Sequence, residues 1–383
     1  MLNNKPTILI FTDWYVPGYK AGGPIQSVYN LSKLLSKNFK IKIITRSNDY
    51  QSDEEYQNII ANQWIEIEPN HWVFYCSKKQ LHSKFIKQQL KENKDNKVLL
   101  NGVFSFYFSI LPLYYSFIFG YNNIVLAVRG MLHRSALSIK PAKKQIFLAF
   151  ARGFGLFKNV VFLSSSKEES QQIKSVLGNK LLIKEVANIP QVVAENFEPN
   201  TKFKANNRLN ALFLGRIAPE KNPMLVLEAL KLFTNPLKIT FCGSAYRKEY
   251  FDEFIQNSKL LPKNIAFEYI ESMPHSEIEL LFVKNDVMIL PSLGENFGHA
   301  IFESFSYATP VIIGNNTPWK NIKSNKIGLE INPTDKMEVL EALNFYDTMD
   351  EETYKIWQQS AFGFAKDYII NNNFEEMYNK LFS

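Results

Sequence analysis

The sequence predicts an α/β protein made of two doubly wound domains, each built on a parallel sheet. Short apolar runs recur along the chain, and each is followed by a polar loop and a segment whose apolar residues have helical spacing. The length of 383 residues exceeds one typical domain and fits two of roughly 150 to 200 residues each. A polar, Pro-containing stretch from Asn188 to about Asn207 separates two such strand and helix series, which predicts a linker there.

The composition predicts a globular protein of a reducing compartment. Apolar residues make up 46% of the chain, and the two cysteines, Cys76 and Cys242, lack any CxxC spacing. The first residues lead directly into a strand at Ile8–Phe11, without the charged and then apolar order of a signal peptide. We therefore expect a cytoplasmic protein.

The first domain begins with the strand Ile8–Phe11, a loop that contains Gly22 and Gly23, and a helix. A glycine pair before a helix lets the backbone approach a ligand closely and presents its amides to it. Further strands are predicted at Ile41–Thr45, Trp64–Tyr75, Val98–Asn101, Ile124–Val128 and Val160–Leu163.

The segment Val103–Phe119 is apolar and uncharged over 17 residues, at the short limit for a membrane span. Pro112 interrupts it, and a strand with a polar Asn-Gly turn precedes it. We interpret this segment as a buried helix of the first domain and not as a span.

The positive charge is concentrated in one part of the first domain. From Asn96 to Lys167 there are nine Lys or Arg residues and no Asp or Glu, while the whole chain carries +7, and aromatic residues are frequent in the same stretch. Basic and aromatic groups together suit an anionic membrane surface, so peripheral contact with the inner face of the cell membrane is one expectation. Solvated lysines over a buried aromatic core are the alternative. Nucleic acid is not an expected partner, because no nucleic-acid-binding motif accompanies the charge.

The second domain is predicted from strands followed by loops that carry charge. The loop after the first of these strands contains Arg216 and Lys221, and a guanidinium and an ammonium so placed can bind both phosphates of a diphosphate. The strands are predicted at Leu209–Leu214, Leu237–Cys242, Ile265–Ile270, Val287–Leu290 and Val311–Ile313.

Two carboxylates follow the fourth of these strands. Glu295 falls in the loop, and Glu303 falls in the second turn of the next helix if Gly298 lies near its start. The backbone amides of residues 297–299 favour an anion at that helix N-terminus, whereas carboxylates need hydroxyl partners. A nucleotide sugar supplies both a diphosphate and hydroxyls.

Glu295 and Glu303, with Phe297 and Gly298 between them, resemble the Glu-x7-Glu signature of the retaining glycosyltransferase family 4, and the Arg216 and Lys221 loop is similar to that family's Gly-Arg…Lys-Asn loop. The resemblance implies the GT-B fold, in which two Rossmann-like domains face a cleft. It places the acceptor-binding domain at 1–188, the nucleotide-sugar-binding domain at 189–365, and a terminal helix that crosses back to the first domain at 366–383.

The family also implies roles for single residues. Glu303 would hold the ribose diol, Glu295 the donor sugar, and Arg216 and Lys221 the diphosphate, where they stabilise charge on the departing group. The loop Glu271–Pro274 would receive the base. The catalytic candidates are Glu295, Arg216 and Lys221; the donor-binding candidates are Gly22, Gly23, Gly215, Arg216, Lys221, Glu295, Asn296, Phe297, Gly298 and Glu303; the acceptor-side candidates are Asp13, Arg129 and His133.

The expected function is retaining glycosyl transfer, of hexosyltransferase type, from a nucleotide-diphosphate sugar to a glycan or lipid-linked acceptor. The basic loop Arg129–Arg134 resembles one in bacterial enzymes that assemble cell-surface polysaccharide such as lipopolysaccharide or capsule. No cofactor and no metal are expected, since the Asp-x-Asp sequence of metal-dependent transferases is missing. Two alternatives remain: a GT-B epimerase of nucleotide sugars, and a catalytically silent glycan-binding partner.

Overall fold

The structure is a computed structural model that describes residues 5–137, 141–194 and 203–383. Its contacts divide the chain into two units. Unit 1 comprises Met1–Ile189 together with Asn373–Ser383, and unit 2 comprises Pro190–Asn372. Each unit is an α/β domain on a largely or wholly parallel sheet, which confirms the predicted fold class.

Unit 1 contains an eight-stranded sheet in which only one neighbouring pair is antiparallel. The strands are β1 (Thr7–Phe11), β2 (Lys40–Arg46), β3 (Trp64–Glu68), β4 (His71–Cys76), β5 (Lys97–Asn101), β6 (Ile124–Ala127), β7 (Val160–Ser164) and β8 (Leu182–Glu185). Their order is β3-β4-β2-β1-β5-β6-β7-β8. The chain first proceeds from β1 to β2 and later continues from β5 on the other side of β1, so the topological switch point lies between β1 and β5.

The single strand predicted over Trp64–Tyr75 is wrong. The segment forms β3 and β4, which pair antiparallel as a hairpin. Asn70, between the two strands, has a φ of 63°, and this left-handed conformation reverses the chain.

The helices of unit 1 before the linker are α1 (Gly23–Leu35), α2 (Ser83–Glu92), α3 (Leu111–Phe119), α4 (Arg134–Leu137), α5 (Pro141–Gly153) and α6 (Lys167–Leu177). A π-helical turn at Phe106–Ile110 leads into α3. Pro112, Leu113 and Ser116 of α3 are buried, but Phe117 is 47% exposed and Ile118 is 53% exposed. The prediction of a buried helix is therefore wrong for one of its faces.

Unit 2 contains a six-stranded sheet that is parallel throughout. Its strands are β9 (Leu209–Leu214), β10 (Leu237–Cys242), β11 (Ile265–Ile270), β12 (Val287–Leu290), β13 (Val311–Gly314) and β14 (Gly328–Ile331), in the order β11-β10-β9-β12-β13-β14. Every residue of β9 and β12 is buried, which explains why β12 is a continuous apolar run and why β9 is apolar except at Asn210. The switch point of this sheet lies between β9 and β12.

The helices of unit 2 are α7 (Pro223–Leu230), α8 (Lys248–Ser258), α9 (Glu279–Lys284), α10 (His299–Ser306), α11 (Lys336–Thr348) and α12 (Glu351–Asn371). The last helix, α13 (Phe374–Phe382), belongs to unit 1, where the Tyr378 hydroxyl donates to the Ala187 carbonyl at 3.0 Å. Residue 366, where the terminal helix is predicted to begin, lies within α12. Across the described residues, no helix is long and apolar enough to cross a membrane.

The end of β10 depends on a close approach between two backbone segments. A Cβ atom added at Gly243, whose φ is 154°, would lie 2.0 Å from the carbonyl oxygen of Gly215. We therefore expect Gly243→Ala to destabilise the fold by about 3 kcal/mol or to displace the Gly215 loop. The urea midpoint of unfolding measures this effect. Gly363→Ala is the matched control, because nothing lies within 4 Å of its added Cβ, and we expect it to stabilise α12 by about 0.5–1 kcal/mol. Equal midpoints for the two variants would contradict the expectation.

Candidate active site

The loops that follow β9 and β12 lie side by side at the switch point of unit 2. The two strands pair directly, with Met288 opposite Leu212. Beyond the strand ends, the amide of Leu293 donates to the carbonyl of Glu220 at 3.0 Å and joins the two loops. The carboxyl edge at a switch point is where open α/β sheets bind their ligands.

The loop after β9 holds Arg216 in a defined position. Its Nη2 lies 2.7 Å from Oε1 of Glu220, and its guanidinium carbon lies 5.6 Å from the centre of the Tyr246 ring. About a third of each charged side chain in this pair is exposed, at 33% for Arg216 and 32% for Glu220. The pair is thus accessible to an incoming ligand.

Lys221 and Glu295, which lie 74 positions apart in the sequence, form an ion pair in the structure. The Lys221 ammonium donates to Oε1 of Glu295 at 2.5 Å, and the Ser292 hydroxyl donates to the same oxygen at 2.6 Å. The Glu295 side chain is only 9% exposed and that of Lys221 is 21% exposed. A carboxylate buried to this degree needs such partners to remain charged.

Glu303 lies in the second turn of α10, which begins directly after Gly298, as the sequence analysis predicts. Gly298 has a φ of 78°, which is strained for any residue with a side chain, and a Cβ there would lie 2.8 Å from Cδ1 of Ile301 and displace that side chain. The Phe297 side chain is buried, and its carbonyl accepts a hydrogen bond from Nε1 of Trp319 at 2.6 Å. The side chain of Phe297 is therefore not available to a ligand, and this residue can contact one only through its backbone. Asn296 lies in the loop just before it.

His275 is a partner of Glu303 that was not predicted from the sequence. Its Nε2 lies 2.9 Å from Oε1 of Glu303, whose side chain is 7% exposed. Burial by itself lowers the pKa of His275, but the hydrogen bond to Glu303 and the charge of that carboxylate outweigh burial and raise the pKa above its ordinary value. The sequence signal was its place directly after the loop Glu271–Pro274, which was expected to receive the base.

Two further partners were also missed. Glu220, four residues after Arg216, and Ser292, three residues before Glu295, hold candidate residues in the structure. The short sequence distances between these partners were visible, but nothing in the sequence showed that Arg216 and Lys221 would pair with carboxylates of the same site. Among the residues that the structure describes, no group of three or more His, Cys, Asp or Glu side chains could hold a metal ion.

The glycine pair and Asp13 lie in the loop after β1 of unit 1. Gly22 has a φ of 66° and precedes α1, which begins at Gly23. Asp13 binds Arg46 at 3.1 Å and accepts a hydrogen bond from the Ser105 hydroxyl at 2.9 Å. Since Ser105 follows β5, these contacts span the switch point of unit 1.

Arg129 and His133 follow β6 in unit 1. The Arg129 Nε donates to Oδ1 of Asn101 at 2.9 Å, and its Nη1 donates to Oδ1 of Asn188. The amide of His133 donates to the carbonyl of Gly130 at 3.0 Å and closes a turn. The guanidinium of Arg129 therefore joins the end of β5 to Asn188 at the start of the predicted linker.

A family model covers most of unit 2. Residues 195–362 match the model described as "Glycosyl transferases group 1". This range includes both loops at the switch point and α10, and therefore all the candidate residues of unit 2.

Similar proteins exist in bacteria. An "Uncharacterized 41.2 kDa protein in cps region" of Klebsiella pneumoniae is 23% identical over 321 residues, which cover 79% of this chain and 85% of that protein. A "D-inositol 3-phosphate glycosyltransferase" of Corynebacterium urealyticum is 24% identical over 143 residues, which cover 32% of this chain and 33% of that protein.

Solved structures share the fold over nearly the whole chain. HepE of Anabaena, in complex with UDP and glucose, superposes with a TM-score of 0.73 at 15% identity over 98% of this chain and 99% of that one. Sucrose-phosphate synthase of Thermosynechococcus elongatus gives a TM-score of 0.69 at 15% identity, and 99% of each chain is covered. These likenesses show that the chain has the two-domain GT-B fold, and its residues 195–362 match the glycosyltransferase group 1 model.

Proposed function

We propose that this chain is a retaining glycosyltransferase that moves a hexose from a nucleotide-diphosphate sugar to a glycan or lipid-linked acceptor in cell-surface polysaccharide synthesis. The observation that carries the proposal is the ion pair of Lys221 and Glu295 at the switch point of unit 2. The cps region named for the Klebsiella relative supports the polysaccharide pathway.

The diphosphate of the donor would take the places of two carboxylates. Arg216 is paired with Glu220 and Lys221 with Glu295, at 2.7 and 2.5 Å. A diphosphate offers more negative charge and more acceptor oxygens than either carboxylate, and two cations on adjacent loops suit it. Donor binding would thus exchange the partners of these cations without leaving a buried charge unpaired.

The released carboxylate of Glu295 would then bind donor sugar hydroxyls. Glu303 would accept hydrogen bonds from the ribose diol, because a carboxylate only accepts and a diol can donate twice. His275, hydrogen-bonded to one oxygen of Glu303, would fix the orientation of that carboxylate. His275 is therefore proposed as a positioning residue.

The catalytic contribution of the protein would be electrostatic. As the glycosidic bond to the diphosphate breaks, Arg216 and Lys221 would stabilise the charge that develops on the leaving phosphate. That phosphate would accept the proton of the acceptor hydroxyl on the same face of the sugar, so the anomeric configuration is kept and no side-chain nucleophile is assigned.

We propose that no metal is required, so EDTA should leave the rate of transfer unchanged. A rate lost with EDTA and restored by Mg²⁺ or Mn²⁺ would reject this part of the proposal.

Acceptor recognition is assigned to unit 1. Asp13 lies at the switch point of that sheet, where Arg46 and Ser105 hold its carboxylate. Gly22 and Gly23 at the start of α1 are proposed to lie near the donor phosphates. Arg129 and His133 remain candidates for the acceptor side, with Arg129 held by its two asparagine partners.

Donor binding tests the site directly. A thermal-shift panel of nucleoside diphosphates and nucleotide sugars should begin with UDP, since the HepE structure contains it. A ligand that binds only the folded chain raises its melting temperature. Arg216→Ala should weaken binding of the selected nucleotide by roughly 10- to 100-fold, because charge-assisted hydrogen bonds are lost.

Arg247→Ala is the matched control for Arg216→Ala, because Arg247 also lies over the Tyr246 ring, at 5.1 Å, but outside the loop after β9. We expect it to bind as the wild type does. If no nucleotide shifts the folded wild type, the chain is a silent binding protein and not a transferase.

The pair of His275 and Glu303 predicts a pH dependence of stability. The pKa of His275 is higher in the folded state than in the unfolded state. The stability that its pair with Glu303 contributes is therefore fully present below the unfolded pKa of about 6.5 and is lost as the pH rises through the folded-state pKa. The difference in unfolding free energy between the wild type and His275→Gln should therefore be about 1 kcal/mol at pH 5.5–6 and should shrink as the pH rises from about 6.5 through the folded-state pKa. Urea unfolding at a series of pH values measures it. In a Glu303→Gln background the pH dependence of this difference should vanish; its persistence would assign the titration to another group.

A further inference from the structure

On one face of unit 1, aromatic and aliphatic side chains are exposed to solvent, which is unusual for a surface that contacts only water. We call it the aromatic face and define it by Phe106, Tyr114, Phe117, Ile146, Phe150 and Phe154, which are between 43% and 70% exposed. Within the described residues, every exposed aromatic side chain lies between Phe106 and Phe154. Apolar side chains gathered in this way mark a surface that is covered by something else.

The helix α5 shows the pattern most clearly. Its inner side packs Leu148 and Ala151 into the core of unit 1. Its outer side is also apolar, because Ile146 and Phe150 are exposed one turn apart and the Phe154 ring lies 4.2 Å from that of Phe150. A surface helix normally carries polar residues on its outer side, but α5 combines exposed apolar side chains with exposed Lys143 and Arg152, which is typical of a helix at a membrane surface.

The helix α3 presents a similar surface on the same side of the sheet. It connects β5 to β6, and α5 lies in the connection from β6 to β7, so right-handed crossovers place both helices on one face. Leu113 of α3 and Leu148 of α5 accordingly belong to the same buried cluster. The exposed Phe117 and Ile118 of α3 therefore extend the aromatic face.

A groove lies between α3 and the segment that follows α5. It has a volume of about 210 Å³, and Leu113, Phe117 and Leu156 form its apolar wall while Lys158 lies at its rim. Ser116 also lines the groove; it is 3% exposed, and its buried hydroxyl has no hydrogen-bond partner in the protein. Apolar walls, a cation at the rim and an unpartnered hydroxyl suit an amphipathic molecule with an anionic head.

The charges around the aromatic face are predominantly positive, although α2 ends at Glu92 and the charge of Asp95 acts on Tyr121 at the groove. Lys143, Arg152 and Lys158 are exposed on or just after α5. On α2, the Lys87 ammonium lies 5.9 Å from the centre of the Tyr115 ring, and Lys91 lies 5.5 Å from that of Phe119. The stretch from residue 96 to residue 167 contains no acid, although Lys140 within it lies outside the described residues.

We propose that the aromatic face docks onto the surface of an anionic phospholipid bilayer, with its rings at the level of the headgroups and its lysines on lipid phosphates. A second copy of this chain fits less well, because two such faces would bring cations against cations. The inference does not rest on the proposed transferase reaction. It identifies the residues of a membrane contact that the charge distribution along the sequence only suggested.

Vesicle sedimentation of the full chain tests the proposal. Vesicles of phosphatidylglycerol and phosphatidylcholine in equal parts should bind the chain, and phosphatidylcholine alone should bind it at least about tenfold less, with binding to the anionic vesicles falling as salt rises. Phe150→Ser with Phe154→Ser should reduce partitioning by about tenfold or more. Lys143→Glu with Arg152→Glu should reduce binding to the anionic vesicles only.

Leu260→Ser with Ile370→Ser is the matched control, because these side chains of unit 2 are 67% and 72% exposed and lie outside the aromatic face. It should bind vesicles as the wild type does. Circular dichroism confirms that each variant is folded. Unchanged binding by the Phe150 and Phe154 variant, equal binding to neutral vesicles, or a dimer in solution that these substitutions convert to a monomer without vesicle binding would each overturn the proposal.

Vesicle binding is independent of catalysis, so a failure here is distinguishable from a failure of the transferase proposal. Transfer to a water-soluble acceptor should be unchanged in the Phe150 and Phe154 variant, whereas transfer to an acceptor embedded in vesicles should fall with its binding. Loss of both activities in a folded variant would place these residues in the reaction and contradict the docking role.

Discussion

The ion pair of Lys221 and Glu295 is the interaction on which the account of the site depends. Both side chains are largely buried where two strands of unit 2 end, and a buried charge needs a partner. The fold provides this partner because the loops after β9 and β12 meet at the switch point, although they lie far apart in the sequence. The same requirement explains the hydrogen bond of His275 to the buried Glu303, whereas the pair of Arg216 and Glu220 is partly exposed. We infer that the site is held in a charge-balanced state that a donor can enter by exchanging partners.

Much of the fold followed from the sequence, because fully buried parallel strands are continuous apolar runs and Gly-containing loops mark their ends. The start of α10 at Gly298 and the place of Glu303 were predicted for this reason. The hairpin of β3 and β4 was missed, since a left-handed asparagine is not evident inside a run of strand-forming residues. His275 was missed as a partner because only the sheet brings the loop after β11 close to α10. Pairing between side chains depends on tertiary contacts, which periodicity does not report.

The aromatic face is a second feature that the sequence pattern did not predict. An apolar, uncharged segment was interpreted as a buried helix, but the structure buries only one side of α3 and leaves Phe117 and Ile118 exposed. Sequence hydropathy does not distinguish a side chain that faces the core from one that faces a bilayer. Buried charges in unit 2 and exposed rings in unit 1 both depart from ordinary patterning, and such departures are expected where a protein meets its ligands.

The most direct test of the central claim is isothermal titration of the nucleoside diphosphate, and then of its sugar conjugate, into the wild type and Glu295→Gln. If the diphosphate displaces Glu295 from Lys221, removal of the carboxylate charge should tighten nucleoside diphosphate binding by about three- to tenfold. The additional affinity that the sugar gives the wild type should be lost in the same variant. Unchanged or weaker nucleoside diphosphate binding by a folded Glu295→Gln would contradict the exchange of partners at Lys221.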